Sequence, residues 1–154
     1  MTHLVIVAPL ESLTVGDSFP VSWFPLHLTV LPPFLVNIDL AALWQVVAAV
    51  SESTEPLLAE VTGQGGFGAN GEIVVGLIRP IASLLEAHSR LTEALMPLGW
   101  VAKEPQYSGE GYRPHITGND EKVVRSGDVF ILRELAIVEM LTQPIIRANF
   151  RLLG

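Results

Sequence analysis

Pro25-Leu26-His27-Leu28-Thr29-Val30 and, far along the chain, Arg113-Pro114-His115-Ile116-Thr117 carry the same His-x-Thr unit, once in each half of a 154-residue protein. Side chains alternate between the two faces of an extended strand. Each unit therefore sets an imidazole beside a hydroxyl on one face and turns its apolar middle residue to the other. Leu28 and Ile116 are expected in the core, with His27, Thr29, His115 and Thr117 along one shared cleft. Two imidazoles facing a cleft can divide acid–base work, one taking a proton while the other gives one, and two hydroxyls can hold a phosphate between them. One strand supplies half of such a site.

The flanking sequence supports strands at both places. Residues 3–8 and 26–31 are apolar and β-branched, Gly16, Pro20 and Pro25 mark the connection between them, and Pro32-Pro33 is expected to end the second. Leu40, Leu43, Trp44, Val47 and Val50 recur at helical spacing, with Asn37 or Asp39 as cap and Ser51-Glu52-Ser53-Thr54 closing the helix. A strand over 57–62 leads into the glycine-rich run 63–71. Its Asn70-Gly71 is a hairpin signal before a strand at 72–79. Pro80 is placed for the first turn of a second helix whose stripe is Ile81, Leu84, Leu85, His88, Leu91 and Leu95, and Gly99 stops it. Residues 103–111 and 118–127 read as loops, and 130–132, 134–141 and 145–152 as closing strands. One domain over residues 1–154, made of two lobes, is expected.

Composition narrows the function classes. With no cysteine, disulfides, thiolate zinc sites and a cysteine nucleophile are excluded. No stretch reaches the roughly 20 uninterrupted apolar residues of a spanning helix, so no membrane partner is expected. Met1–Pro9 lacks a basic leader and reads as a first strand, from which a cytoplasmic location is expected. The net charge of −7, with only 9 Lys and Arg, disfavours long duplex nucleic acid and suits a small phosphorylated ligand. Such a ligand would be held by local donors, Thr29, Thr117, Arg113 and backbone amides.

At these residues the chain resembles the 2H phosphoesterase superfamily, in particular its bacterial 2′-5′ RNA ligase-like and cyclic phosphodiesterase branches. The two His-x-Thr units, the helix and hairpin between them, the Gly-x-Gly-x-Phe-like stretch near Gly63–Phe67 and the paired closing strands carry the resemblance. It implies an α+β, bilobal fold: two antiparallel sheets face a central cleft, with the helices outside. It also implies cleavage of cyclic or 2′-5′-linked phosphodiesters of small nucleotides or oligonucleotides, cyclic oligonucleotide signals included, with His27 and His115 catalytic and Thr29 and Thr117 on the phosphate. No metal and no cofactor are called for, and which histidine is acid and which is base stays open. Two departures stand out: residues 9–25 carry no helical period where the family has a helix, and Gly118 follows Thr117 where a larger apolar residue is common.

Alternatives compete at several positions. A phosphate-binding module of the same fold without turnover, or an RNA-end-processing or 2′-5′ ligase role, would use the same cleft. Tyr112, Arg113 and Tyr107 lie close to the second unit and are candidates for contact with substrate. Trp23 and Phe24 are read as core, although an aromatic face can stack on a base. His3 and His88 lack a partner pattern and are read as structural or rim residues. A zinc site on His27 and His115 would need ligands that the sequence does not place. The glycine run lacks the Gly-Lys-Ser/Thr ending of a phosphate loop.

Overall fold

The computed structural model describes residues 1–67 and 73–153. Its elements are β1 (Thr2–Pro9), β2 (His27–Val36), α1 (Leu40–Glu52), β3 (Leu57–Phe67), β4 (Ile73–Ile78), α2 (Ala82–Leu95), β5 (Val101–Ala102), β6 (His115–Thr117), β7 (Val129–Leu132), β8 (Glu134–Glu139) and β9 (Ile145–Arg151). The class is α+β, as the sequence implies. The Asn70-Gly71 hairpin signal lies outside the described residues, between two strands that do pair antiparallel.

The strands form one curled antiparallel sheet in the order β7-β3-β4-β6-β2-β1-β8-β9, with β5 added alongside β2. This corrects the expectation of two separate facing sheets. β6 pairs with β2 on one edge and with β4 on the other, so the two halves share hydrogen bonds through the strands that carry the His-x-Thr units.

Both helices pack on one face of the sheet. Asp39 caps α1, its carboxylate accepting the Ala41 N–H at 3.0 Å, and Leu43, Val47 and Val50 turn inward. α2 buries Leu84, Ala87, His88, Leu91 and Leu95. Leu85, expected on that stripe, is 39% exposed, because a step of about 100° from Leu84 carries it off the buried face. Under the helices lie Leu4, Ile6, Leu28, Val30 and Ile116, each at 0% exposure. On the opposite face a second cluster lies at the β1–β8–β9 end. There Leu13 and Phe24, from the loop over residues 10–26, close on Val5, Val7, Ala136, Val138 and Ile146. Apart from a single 3-10 turn, Val21–Trp23, this loop is irregular, and it occupies the place of the helix that the family commonly has.

Two strands run further than their local sequence suggests. β2 continues through Pro32-Pro33 to Val36. Proline cannot donate to a ladder, but here a register shift interrupts pairing with β1 between Leu31 and Phe34, and the other edge is bare between β6 and β5. Pro33 still contributes its carbonyl, which accepts the Lys103 N–H at 3.0 Å. β3 likewise runs through the glycines to Phe67, held by the register Gly63↔Leu77 to Phe67↔Ile73. Among the described residues, no helix is long and apolar enough to cross a membrane.

Candidate active site

The two His-x-Thr units are neighbours in the sheet. Leu28 of β2 pairs with Ile116 of β6, and both side chains are fully buried against the helices. Burial of that extent contributes roughly 1.5–3 kcal/mol per side chain and forces the flanking residues to the opposite face. The same antiparallel register sets Thr117 across from His27 and His115 across from Thr29. The four polar side chains form a quadrilateral with the histidines on one diagonal, on the order of 7–8 Å apart at the backbone. Val7 and Pro9 of β1 border it on one side, and Val75 and Leu77 of β4 on the other.

The imidazoles are held in the same way. His27 Nδ1 lies 2.8 Å from the Pro25 carbonyl, and His115 Nδ1 lies 2.8 Å from the Arg113 carbonyl. A carbonyl only accepts, so Nδ1 carries the proton in both rings, and Nε2 is the nitrogen that can exchange protons. In each case the acceptor is the residue two places earlier, itself a proline before His27 and the neighbour of Pro114 before His115, and the fixed φ of the proline stiffens the approach to the strand. Phe24 meets the His27 ring edge-on at a centroid distance of 5.1 Å, fixing its orientation.

Burial is the main influence on both histidines and pulls each below the ordinary value of 6.5. For His27, the Pro25 carbonyl acts upward and the neighbouring His115 downward. For His115, the Arg113 carbonyl acts upward and the Arg113 charge downward.

The remaining candidates divide. Tyr112 is 7% exposed, and its hydroxyl donates to the Thr29 carbonyl at 2.7 Å, so it is built into the strand packing instead of offered to a ligand. Arg113 is exposed and Tyr107 half-buried in the 3-10 turn Pro105–Tyr107. Phe24 is core, as read from the sequence, but Trp23 is 49% exposed. A groove of about 880 Å³ is lined by Trp23, Pro25, Leu26, Asn119, Lys122 and Arg125 among others; its lining takes in the segments just before His27 and just after Thr117 but none of the four His and Thr side chains. Among the described residues, no three His, Cys, Asp or Glu side chains converge on a metal position.

Sequence reasoning passed over Asn119 and gave no partner to His88. Asn119 Oδ1 accepts the Glu121 and Lys122 N–H groups, and its Nδ2 donates to the Phe24 carbonyl at 2.9 Å. It thereby ties the loop after Thr117 to the residue that orients His27. Gly118 makes this turn fit, since a Cβ there would press on Val123 at 2.7 Å and on the Lys122 carbonyl at 3.1 Å. An Asn two places beyond the second His-x-Thr unit, with Gly before it, was the available signal.

The profile of the 2′-5′ RNA ligase superfamily matches residues 8–136. No curated protein sequence matches the chain. Among solved structures, one described as a phosphoesterase superimposes with a TM-score of 0.65 at 14% identity, covering 99% of each chain. The protein TT0787 of Thermus thermophilus gives 0.64 at 17% identity, covering 99% of this chain and 98% of its own. Escherichia coli LigT, solved with 3′-AMP, gives 0.63 at 12% identity over 99% of each chain, and it has also been solved with NADP+ and with ATP. At these identities the structures speak for the shared fold, and the sequence profile, spanning both His-x-Thr units, assigns the membership. The chain belongs to the 2′-5′ RNA ligase superfamily.

Proposed function

We propose that the protein is a metal-independent phosphodiesterase that hydrolyses cyclic or 2′-5′-linked phosphodiesters of small nucleotides or oligonucleotides, with His27 and His115 as the acid–base pair. The observation that carries this reading is the matched pair of Nδ1-to-carbonyl bonds, which sets both rings in one tautomer on one face of the β2–β6 pair. A neutral imidazole takes the proton of a water through Nε2 as the water oxygen bonds to phosphorus in line with the departing oxygen. The opposite imidazolium gives its Nε2 proton to that oxygen as the phosphorus–oxygen bond breaks. The pair ends with its protonation exchanged, and proton transfer with solvent resets it. Thr29 and Thr117 hydroxyls donate to the non-bridging oxygens as charge builds on them.

The surroundings fit a nucleotide. Trp23, Lys122 and Arg125 are exposed and line the groove between the segments flanking the two units, so an aromatic side chain and two cations are available to a base and a further phosphate without a broad basic field. LigT has been solved with 3′-AMP, NADP+ and ATP, and a nucleotide is the ligand class proposed for this chain too. The alternatives, a binding module without turnover and an RNA-end ligase, share the cleft but not the expected product.

The test is an assay in excess chelator against 2′,3′-cyclic nucleotides, 2′-5′-linked dinucleotides and cyclic dinucleotides. At least one is expected to be converted to a phosphomonoester at an undiminished rate after chelation. Binding without product would establish the module reading, and a rate abolished by chelator and restored by zinc or manganese would overturn the mechanism.

A further inference from the structure

β6 is only three residues long; it pairs with β4 along its whole length but joins β2 through the Leu28–Ile116 pair alone, so the β2–β6 ladder sets which residues face each other and leaves the spacing of the His115 segment from β2 to other contacts. Just beyond this pair, the β2 edge has no strand beside it until β5 pairs at Phe34 and Leu35. In that interval Val30 is fully buried, and its carbonyl and that of Thr29 need donors. Two side chains supply them. Tyr112 Oη donates to the Thr29 carbonyl at 2.7 Å, and His88 Nδ1–H donates to the Val30 carbonyl at 2.8 Å.

The two rings stack face to face, with centroids 4.1 Å apart and planes 2° from parallel. His88 Nε2 accepts the Gly109 N–H at 3.0 Å, so both ring nitrogens are used and the ring is neutral, as its 2% exposure requires. Tyr112 stands three residues before His115, and Thr29 lies across from His115. The stacked pair thus joins α2, the loop entering the second His-x-Thr unit, and the backbone of the first.

We propose that Tyr112 and His88 form a clamp that sets the separation of the two catalytic histidines by fixing the segment entering β6 against the Thr29 and Val30 carbonyls. Neither touches substrate; both are positioning residues, and the proposal rests on the two-histidine reading of the site. A misplacement on the order of 1 Å between reacting groups costs about a hundredfold in rate, so a clamp remote from the reacting atoms acts mainly on turnover.

Tyr112→Phe keeps the ring and its stacking and removes one hydrogen bond. Its kcat is expected to fall on the order of tenfold with KM changed less than about twofold, the pattern of an interaction that matters in the transition state. His88→Gln, whose amide can donate to the Val30 carbonyl and accept from Gly109, should keep kcat within about threefold of the parent. His88→Leu, which can do neither, should lose at least as much as Tyr112→Phe.

A second arm needs no substrate: nitrogen NMR titration of His27 and His115 in the parent protein and in Tyr112→Phe. Displaced resonances and a changed titration midpoint for at least one of the two rings are expected. Superimposable titrations, or a Tyr112→Phe enzyme with unchanged kcat, would overturn the clamp. If the parent turns over no phosphodiester, the proposed activity fails, and the titrations alone then decide for or against the clamp.

Discussion

His27→Ala and His115→Ala are each expected to lower turnover by about 10²–10⁴, because each removes one of the two proton transfers on which the reaction depends. The double variant should cost far less than the product of the two, since a pair that acts as a unit is already disabled by its first loss. Thr29→Ala and Thr117→Ala should be milder: each removes one hydrogen bond to phosphate and leaves both Nε2 atoms in place. Steady-state rates on whichever phosphodiester the panel identifies measure all five variants. Near-normal turnover by His115→Ala would mean that the second imidazole takes no part.

Ile116→Ala is expected to have the largest effect on stability. Its side chain has no exposure, it pairs with an equally buried Leu28, and the cavity left would lie between two strands that each carry half of the site. Truncations of this kind cost about 2–5 kcal/mol, which for a domain of this size lowers Tm on the order of 4–20 °C. Leu28→Ala should cost a similar amount, and the pair of changes should not be additive because the two residues share one cavity. Thermal unfolding followed by circular dichroism gives both numbers. A Tm for Ile116→Ala within a degree of the parent would mean that this face is not packed as described.

Strand alternation around His27 and His115 was legible because period-two patterning is local: a His and a Thr at i and i+2 must share a face wherever the strand goes. The helical stripes of α1 and α2 were legible for the same kind of reason. What pairs with what is not local. Pro32-Pro33 reads as a stop, yet β2 passes through it because neither proline stands where a neighbouring strand asks for an N–H. Two lobes with two sheets follow naturally from two repeated units, but β6 pairing on both its edges merges them into one. Tyr112 has the position of a ligand contact in sequence, and only the bare β2 edge, invisible in the sequence, draws its hydroxyl inward to Thr29. His88, without a partner pattern, finds its partners in a backbone carbonyl and a backbone N–H, which no side-chain motif reveals.

The most direct test of the two-histidine site is the pH dependence of kcat/KM in the presence of chelator. One ring must be neutral and the other protonated, so the rate tracks the mixed state and should be bell-shaped. Burial lowers both histidines, which leaves them largely neutral at pH 7 and shifts the mixed state to lower pH, so the maximum should lie below pH 6.5. In His27→Ala or His115→Ala the residual rate should lose one limb of the bell. A profile flat across this range, or a bell that survives intact in both single variants, would contradict the assignment of His27 and His115 as the acid–base pair.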